Sequence, residues 1–590
     1  MRIAIVHALG ALSLLCACGG GASGFAPIYP DNEPSHVEEV VRRLRAAAPA
    51  PGDPVVVGLA EGQLYAYDLR AGRERWRQPV AEPRGAPLLA GALVILHEGD
   101  RVVARRLADG RRAFDVGDER YHLVGAAGEG ATAAFVLSTT GGVGARSRLF
   151  VVSGEAIAHR VALEGLIGAP AVAAGMVFVA WGNQNVSVLD AASGAELARL
   201  RTRAGVVAGA RVEGGELFFG QAGLGRLGAG LRGDTAEQAG WVQPRLPTLP
   251  GAPALLRNAY EPPPAPASAT HRIAIVWAGE RGDGPVRFVD DTLYLTFYRL
   301  VFGLDPSDLS VRWVQQIDAD AVGGAARAGG VVVADAAGGL TYLAASNGRV
   351  QWTASTGATP SVAAIRLGDF APSGAPGPDP GFLAEQLLAA AQNPDARLVP
   401  GRAFAVRALA AQPDPAVTGH LVVLCDDRTL PAALRDAGCE ALATRTTGND
   451  AVVRALARRA SFLEDTTPPP VGPLASAAAR MSERRAVPLL VAHLRDADTP
   501  LADLPALAAA LAALGDRAAV QPLRDYLWLY HADGDEPALV AALGAVARAL
   551  VALDGPPGLE AVRELLEAPF TAAPARAAIA AALEAAAAAE

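Results

Sequence analysis

The amino-acid sequence predicts a multidomain protein in which an all-β propeller is followed by an all-α helical solenoid. Two observations lead to this prediction. Before about residue 370, a strand–turn–strand unit recurs with a period near 40 residues, which is the length of a four-stranded propeller blade. After about residue 380, alanine and leucine recur at helical spacing, and helix–turn–helix units repeat as they do in stacked helical arrays.

The best copy of the β unit is LYAYDLRAGRERW, at residues 64–76. Its first four residues alternate as in a half-buried strand. The segment from Asp68 to Gly72 predicts a hairpin turn, because aspartate caps its own backbone and glycine accepts a positive φ; Trp76 follows on the return strand. The next glycines come after 38, 44 and 40 residues. The signature residues are Asp68, Gly72, Trp76, Gly110, Phe114, Asp190, Gly194, Asp305, Trp313, Gly348 and Trp352.

This pattern resembles the repeats of PQQ-like β-propellers of the BamB type, over roughly residues 54–360. In that family the tryptophan, or the residue that replaces it, docks one blade against the next. The resemblance therefore implies a structural role for Trp76, Phe114, Trp313 and Trp352.

PQQ-dependent dehydrogenases share this propeller, and they typically use adjacent cysteines, a carboxylate base and a calcium site. The propeller region here has no cysteine beyond Cys18, and no two histidines lie at metal-ligand spacing. Asp290 and Asp291 precede a strand, where we expect a turn rather than a cation site. The sequence therefore predicts no enzyme, no catalytic or metal site, and no cofactor.

The propeller is predicted over residues 54–370, with seven blades favoured and eight as the alternative. The count stays open because a proline-rich stretch, predicted as a loop insert at 243–270, interrupts the repeats. The first blade lacks an obvious outer strand before Val55. Residues 361–367 are predicted to supply one and thereby to close the ring, which removes exposed sheet edges.

Residues 1–17 predict a lipoprotein signal peptide, because a basic residue precedes an apolar run that is too short for a comfortable membrane span. The sequence before Cys18 resembles the bacterial lipobox, which implies that Cys18 is acylated after cleavage. Several acyl chains would give stable anchoring. Residues 18–53 are predicted to form a tether with one short helix, in which Ser35 and Glu38 make a capping box.

Residues 371–381 predict a linker, because proline and glycine dominate there. The helical units of residues 382–590 resemble HEAT-type repeats, which implies a solenoid with a concave face. Cys425 and Cys439 fall on paired helices. We expect buried free thiols, with a disulfide bridge as the alternative.

The chain carries 61 acidic and 52 basic residues, with no lysine and a formal net charge of −9, which argues against nucleic-acid binding. We predict a non-catalytic scaffold, lipid-anchored at the periplasmic face of the outer membrane. The BamB-type resemblance implies an accessory role in outer-membrane protein assembly. Envelope proteins would bind the propeller loops and the concave solenoid face. The alternatives are a small-molecule or ion sensor that uses the central channel, and a surface-displayed adhesion protein.

Overall fold

The structure, a computed structural model, describes the following residues: 25, 29–31, 33–47, 52–117, 120–139, 144–182, 184–201, 210–213, 216–219, 225–227, 236–237, 241–242, 265–266, 273–276, 292–305, 310–327, 329–358, 365–368, 380–460, 467–534 and 536–587. Several sequence predictions lie outside these residues: Cys18 with the signal peptide, Asp290, Asp291, and residues 371–379 of the predicted linker.

The described part of the propeller region contains thirty β-strands. The first fifteen are β1 (Val55–Ala60), β2 (Gln63–Asp68), β3 (Glu74–Pro79), β4 (Pro83–Ala90), β5 (Leu93–Glu98), β6 (Arg101–Arg106), β7 (Arg112–Gly117), β8 (His122–Glu129), β9 (Thr132–Ser138), β10 (Arg146–Ser153), β11 (Ala156–Glu164), β12 (Ala171–Ala173), β13 (Met176–Trp181), β14 (Asn185–Asp190) and β15 (Glu196–Arg201). The others are β16 (Ala210–Glu213), β17 (Glu216–Phe219), β18 (Gly225–Leu227), β19 (Ala236–Glu237), β20 (Trp241–Val242), β21 (Ala265–Pro266), β22 (Ile273–Val276), β23 (Thr292–Phe297), β24 (Leu300–Leu304), β25 (Val311–Gln316), β26 (Ala321–Arg327), β27 (Gly330–Asp335), β28 (Gly339–Ala344), β29 (Val350–Ser355) and β30 (Arg366–Leu367).

These strands form seven four-stranded sheets and one two-stranded sheet within the described residues. The four-stranded sheets are β30 with β1–β3, then β4–β7, β8–β11, β12–β15, β16–β19, β22–β25 and β26–β29; β20 pairs with β21. The innermost strands contact one another in the order β30, β4, β8, β12 and β16, and again β22, β26 and β30. This is the arrangement of β-propeller blades. The number of blades stays a prediction, because the β20–β21 pair also lies between the sheets.

The ring closes through the last and first sheets. β30 pairs antiparallel with β1, so that Leu367 lies opposite Val56. β30 also contacts β4 and β26, the first strands of the neighbouring sheets, and is therefore the innermost strand of its sheet. The strand predicted within residues 361–367 thus pairs with the first sheet, but the prediction of an outer position was wrong. The outer edge is instead occupied by β3.

The proline-rich region is more regular than the sequence suggested. Within the predicted loop insert at 243–270, the described residues Ala265–Pro266 form a strand that pairs with Trp241–Val242. β22, which follows, is parallel to β23, whereas the other strand pairs in the described sheets are antiparallel. A parallel neighbour requires a long crossover connection, and the residues between the two strands lie outside the described set.

The predicted N-terminal helix is present as α1 (Pro34–Ala46) and packs along β15. It buries three apolar residues in the core of the fourth sheet: Val37, Val40 and Leu44. The predicted capping box was wrong. The helix begins at Pro34, a favoured first residue of helices, so Ser35 lies inside the first turn and its hydroxyl donates to Glu33 Oε1 at 3.1 Å.

The C-terminal part is helical. Its α-helices are α2 (Pro380–Ala391), α3 (Val399–Leu409), α4 (Pro415–Asp426), α5 (Ala432–Ala443), α6 (Asn449–Leu456), α7 (Val471–Arg480), α8 (Val487–Leu494), α9 (Leu504–Leu514), α10 (Val520–Tyr530), α11 (Pro537–Asp554), α12 (Pro556–Glu567) and α13 (Ala573–Ala587). Odd-numbered helices from α3 to α13 contact one another in sequence, and even-numbered helices from α4 to α10 form a second row. Two rows of this kind fit stacked helical hairpins; membership of the HEAT class stays a prediction.

Cys425 and Cys439 form a disulfide that joins α4 to α5, with their Cα atoms 4.7 Å apart. The expectation of free thiols was therefore wrong, and the alternative of a bridge holds. Both cysteines lie on the facing sides of one helical hairpin, where the Cα separation falls within the range that a disulfide requires.

Removing this bridge is expected to destabilise the helical domain. For Cys439→Ser, the loop-closure model predicts a loss of about 3 kcal/mol for a closed loop of about 15 residues. Thermal unfolding of the wild-type chain with and without a reductant measures the same quantity. The variant should unfold at the temperature of the reduced wild type and should not respond to the reductant. A variant that unfolds with the oxidised wild type would contradict the assignment.

Candidate interaction surfaces

Three signature tryptophans bridge neighbouring sheets. The indole Nε1 of each donates to a backbone carbonyl of the adjoining sheet: Trp76 to Leu107 O at 2.8 Å, Trp313 to Ala345 O at 2.7 Å, and Trp352 to Leu69 O at 2.7 Å. Each ring also covers a turn glycine of that adjoining sheet, where a Cβ would collide with the ring; these glycines are Gly110, Gly348 and Gly72, respectively. The contacts of Trp352 join the last sheet to the first.

The signature aspartates organise the hairpin turns. Asp68 Oδ1 accepts from the backbone N–H of Ala71 at 2.8 Å, and Asp190 Oδ1 accepts from the N–H of Ser193 at 2.8 Å. Asp305 instead pairs with the guanidinium of Arg312 on the return strand. These contacts all lie within the hairpins that carry the aspartates.

Two sheets use residues other than tryptophan at the outer contact. Phe114 packs on Phe135 of the next sheet, with ring centroids 6.3 Å apart. In the following sheet, the repeat that contains Gly154 has alanine, Ala158, four residues after the glycine. His159 takes the place of the aromatic residue there. Its Nε2 lies 2.8 Å from Ala192 O, and its ring covers Gly194. The repeat pattern of the sequence does not indicate this role for His159.

The propeller and the helical domain share one hydrophobic core. β23 and β24 bury Phe297, Leu300 and Phe302 together with apolar residues of α2 and α3. The rings of Phe302 and Phe404 meet edge to face, with centroids 5.2 Å apart. Burial of apolar side chains stabilises the folded state roughly in proportion to the apolar area removed from water. The core therefore holds the two domains as one unit, a relation that the sequence had left open.

Charged groups lie beside this apolar interface between the two domains. Arg397 Nη1 lies 2.6 Å from Asp320 Oδ2, and Arg299 Nη2 lies 3.3 Å from Asp395 Oδ2. Hydrogen bonds from Arg397 hold the pKa of Asp395 below its usual value. The Asp395 carboxylate therefore stays ionised at neutral pH. The pKa of Asp395 is lower in the folded protein than in the unfolded chain. The contribution of this carboxylate to folding stability is therefore lost only as the pH falls below the usual pKa range of an aspartate.

Substitution of two glycines, both in helices, tests the interface between the propeller and the helical domain. A Cβ added at Gly401 would lie 2.6 Å from Cδ1 of Phe297 across the interface, whereas a Cβ at Gly419 meets no atom within 4 Å. We expect Gly401→Ala to destabilise the protein by about 1–3 kcal/mol through overpacking. Gly419→Ala should stabilise its helix by about 0.5–1 kcal/mol. Chemical denaturation measures both values, and equal effects would contradict the described interface.

An exposed apolar patch lies at the far end of the helical domain. Trp528, Leu529 and Phe570 are 44%, 68% and 80% exposed. They belong to neighbouring segments, because the Trp528 ring contacts the ring of His531 and His531 Nδ1 lies 2.9 Å from the hydroxyl of Thr571, beside Phe570. Clustered apolar exposure of this kind is typical of protein-interaction sites.

The surroundings of this patch are acidic. Residues 515–590 contain eleven carboxylates and five arginines. Asp533 and Glu536, next to the patch in the chain, are exposed. Exposed carboxylates that follow apolar side chains closely in sequence favour a partner segment that presents apolar residues beside arginine or lysine.

One helix among the described residues, α11, is long and apolar enough to cross a membrane. Half of its apolar window is buried, and it packs between α9 and α13. These contacts make it a core helix of the helical domain. Within the described ranges, no three histidine, cysteine, aspartate or glutamate side chains come together as metal ligands would.

Comparison with known families defines the class of the β region. The profile of a PQQ-like repeat family, described as outer membrane protein assembly factor BamB, matches residues 31–158 and 266–374. These two segments make up less than half of the chain. Together with the observed four-stranded sheets, the match supports a PQQ-like β-propeller in this part of the protein.

Solved structures that match parts of the chain include BamB from Moraxella catarrhalis, with 14% identity and a TM-score of 0.27 over 54% of this chain and 88% of that chain. Hsv2p from Kluyveromyces lactis has 11% identity and a TM-score of 0.22 over 29% of this chain and 56% of that chain. This chain therefore spans about half the length of the latter structure. No curated protein matches the chain.

Proposed function

We propose that this chain is a non-catalytic, membrane-anchored scaffold of the cell envelope that serves as an accessory in outer-membrane protein assembly. The observation that carries the proposal is the match of the BamB family profile on both sides of the proline-rich region. The shared core of the two domains adds support, because a rigid scaffold presents its binding surfaces in a fixed geometry.

The Cys425–Cys439 disulfide supports a location outside the cytosol, since disulfides persist in oxidising compartments such as the bacterial periplasm. In the proposal, residues 1–17 are removed, Cys18 is acylated, and the protein lies on the periplasmic face of the outer membrane. Partners bind the propeller loops, the concave face of the helical domain and the patch of Trp528, Leu529 and Phe570.

Two nearby cysteines, Cys18 and Cys16, allow a matched test of the lipid anchor. Cys18→Ser should abolish incorporation of labelled palmitate and release the protein into the soluble fraction. Cys16→Ser should leave both unchanged, because Cys16 would leave with the signal peptide. Labelling that persists in Cys18→Ser, or that disappears in Cys16→Ser, would contradict the assignment of the acylated residue.

A further inference from the structure

The N-terminal segment is fixed to the fourth sheet, β12–β15, well before the propeller begins. The ring of Phe25 stacks on Trp181 with centroids 4.7 Å apart and planes 7° from parallel. Trp181 ends β13 at one end of the sheet, next to the turn that leads into β14. Such stacking adds about 0.5–1.5 kcal/mol to the burial of the two rings.

A buried arginine extends this attachment. The guanidinium of Arg199 lies over the rings of Tyr29 and Trp181, 5.3 Å and 5.1 Å from their centroids. Arg199 also pairs with Glu196 at 2.7 Å, and both side chains are only 7% exposed. Asp31 Oδ2 lies 3.6 Å from Nη1 of Arg201 at the same end of the sheet.

Helix α1 completes the attachment along β15. Its apolar side chains enter the core of the fourth sheet, and Arg43 near its end lies 3.6 Å from Asp190 at the opposite end of β14. The described residues between 25 and 47 therefore run along the whole sheet. Within the predicted tether of residues 18–53, the described residues 25, 29–31 and 33–47 are therefore attached to the propeller.

From this geometry we infer that the acylated N-terminus holds one particular face of the propeller close to the membrane. The inference rests on the proposed acylation of Cys18. Six residues lie between Cys18 and Phe25, so the seven steps from one to the other span at most about 25 Å. A free tether from Cys18 to β1 would span up to about 120 Å. The end of the fourth sheet that carries Trp181 is therefore the membrane-facing end, and its partner is the lipid surface.

Two exposed residues mark the two ends of this sheet. Leu166 lies at the membrane-facing end, where its carbonyl accepts from the N–H of Gly182. Ala192 lies in the turn after β14 at the other end. A strand of six residues separates these ends by about 20 Å, a difference that energy transfer to a membrane dye resolves.

The experiment uses the full-length acylated protein in vesicles of phosphatidylethanolamine and phosphatidylglycerol with a headgroup-labelled acceptor lipid. A donor dye is attached to Leu166→Cys or to Ala192→Cys; the bridged Cys425 and Cys439 do not react. We expect higher transfer efficiency from position 166 than from position 192. A Gly–Ser insertion of about 20 residues between Ser23 and Gly24, with a span of about 25 Å, should lower transfer at both sites and remove most of the difference.

Palmitate labelling of the same samples separates the two proposals. Equal transfer from both positions, with the label present on Cys18, would overturn the membrane-facing orientation and leave the anchor intact. Absence of the label would overturn both. Higher transfer from position 192 than from position 166 would assign the opposite face to the membrane and would also overturn the inference.

Discussion

Replacing Trp352 by alanine is expected to destabilise the closed propeller strongly. Trp352 is almost fully buried, its indole donates to Leu69 O at 2.7 Å, and its ring covers Gly72, so one side chain joins the last sheet to the first. Loss of a buried tryptophan costs about 3–5 kcal/mol, and the unpaired carbonyl adds about 1 kcal/mol. Trp352 is one of several contacts at this seam, which also contains the pairing of β30 with β1, an apolar cluster shared by the two sheets, and hydrogen bonds from Tyr67 and Arg77 to the carbonyls of Ser355 and Thr356. We therefore expect the seam to be weakened rather than lost.

The matched control for this variant is Trp528→Ala, which removes the same side chain from the exposed patch of the helical domain. Thermal unfolding and limited proteolysis should show a large loss for Trp352→Ala, with cleavage near the seam. The control should stay close to the wild type, as surface substitutions usually do. Equal stability of Trp352→Ala and the wild type would contradict closure through this contact.

Replacing Arg445 by methionine is expected to unfold the first helical repeats. Arg445 is 1% exposed, and its guanidinium donates to the carbonyls of Ala410 at 3.0 Å and Asp414 at 2.8 Å and to the hydroxyl of Thr418 at 2.9 Å. It therefore joins the turn between α3 and α4 to the end of α5. Burial lowers the pKa of this guanidinium, and its hydrogen bonds to the backbone compensate for the lost hydration.

Methionine is apolar and unbranched like the stem of arginine, but it ends where the guanidinium begins and donates no hydrogen bonds. The carbonyls would remain buried without partners, at a cost of about 1–3 kcal/mol each, so we expect a loss of more than about 3 kcal/mol. The control is Arg454→Met on α6, where the side chain is exposed and the expected change is within about 0.5 kcal/mol. Urea denaturation compares the two. A similar midpoint for both variants would show that the Arg445 contacts do not stabilise the domain.

Local turn chemistry explains why much of the propeller could be predicted. A turn of constant length fixes where the return strand begins, so the tryptophan follows four residues after Gly72, Leu309 and Gly348 in its three copies. Each ring therefore reaches the neighbouring sheet in the same way. His159 escaped prediction because its hairpin has a two-residue turn, Gly154–Glu155, which shifts the spacing between glycine and ring. A search for any ring within five residues of the glycine would have found it.

The features that could not be predicted depend on residues that are distant in sequence. Arg445 meets carbonyls more than 30 residues away, and Phe302 meets Phe404 across the domain boundary. Neither of these contacts leaves a local pattern by which the sequence could indicate it. The attachment of Phe25 to Trp181 is of the same kind, which is why the region appeared to be a tether. Helix propensity and apolar periodicity predict elements, whereas contacts between elements require the fold.

The most direct test of the scaffold proposal is crosslinking mass spectrometry on native membranes. The linker must join carboxylates, because the chain contains no lysine. The link between Asp320 and Asp395, which share contacts with Arg299, serves as the internal control. The proposal predicts additional crosslinks to an outer-membrane β-barrel assembly protein, including links from Asp533 or Glu536 beside the apolar patch. Recovery of the control link with crosslinks only inside this chain would contradict the scaffold role and favour the ligand-binding alternative.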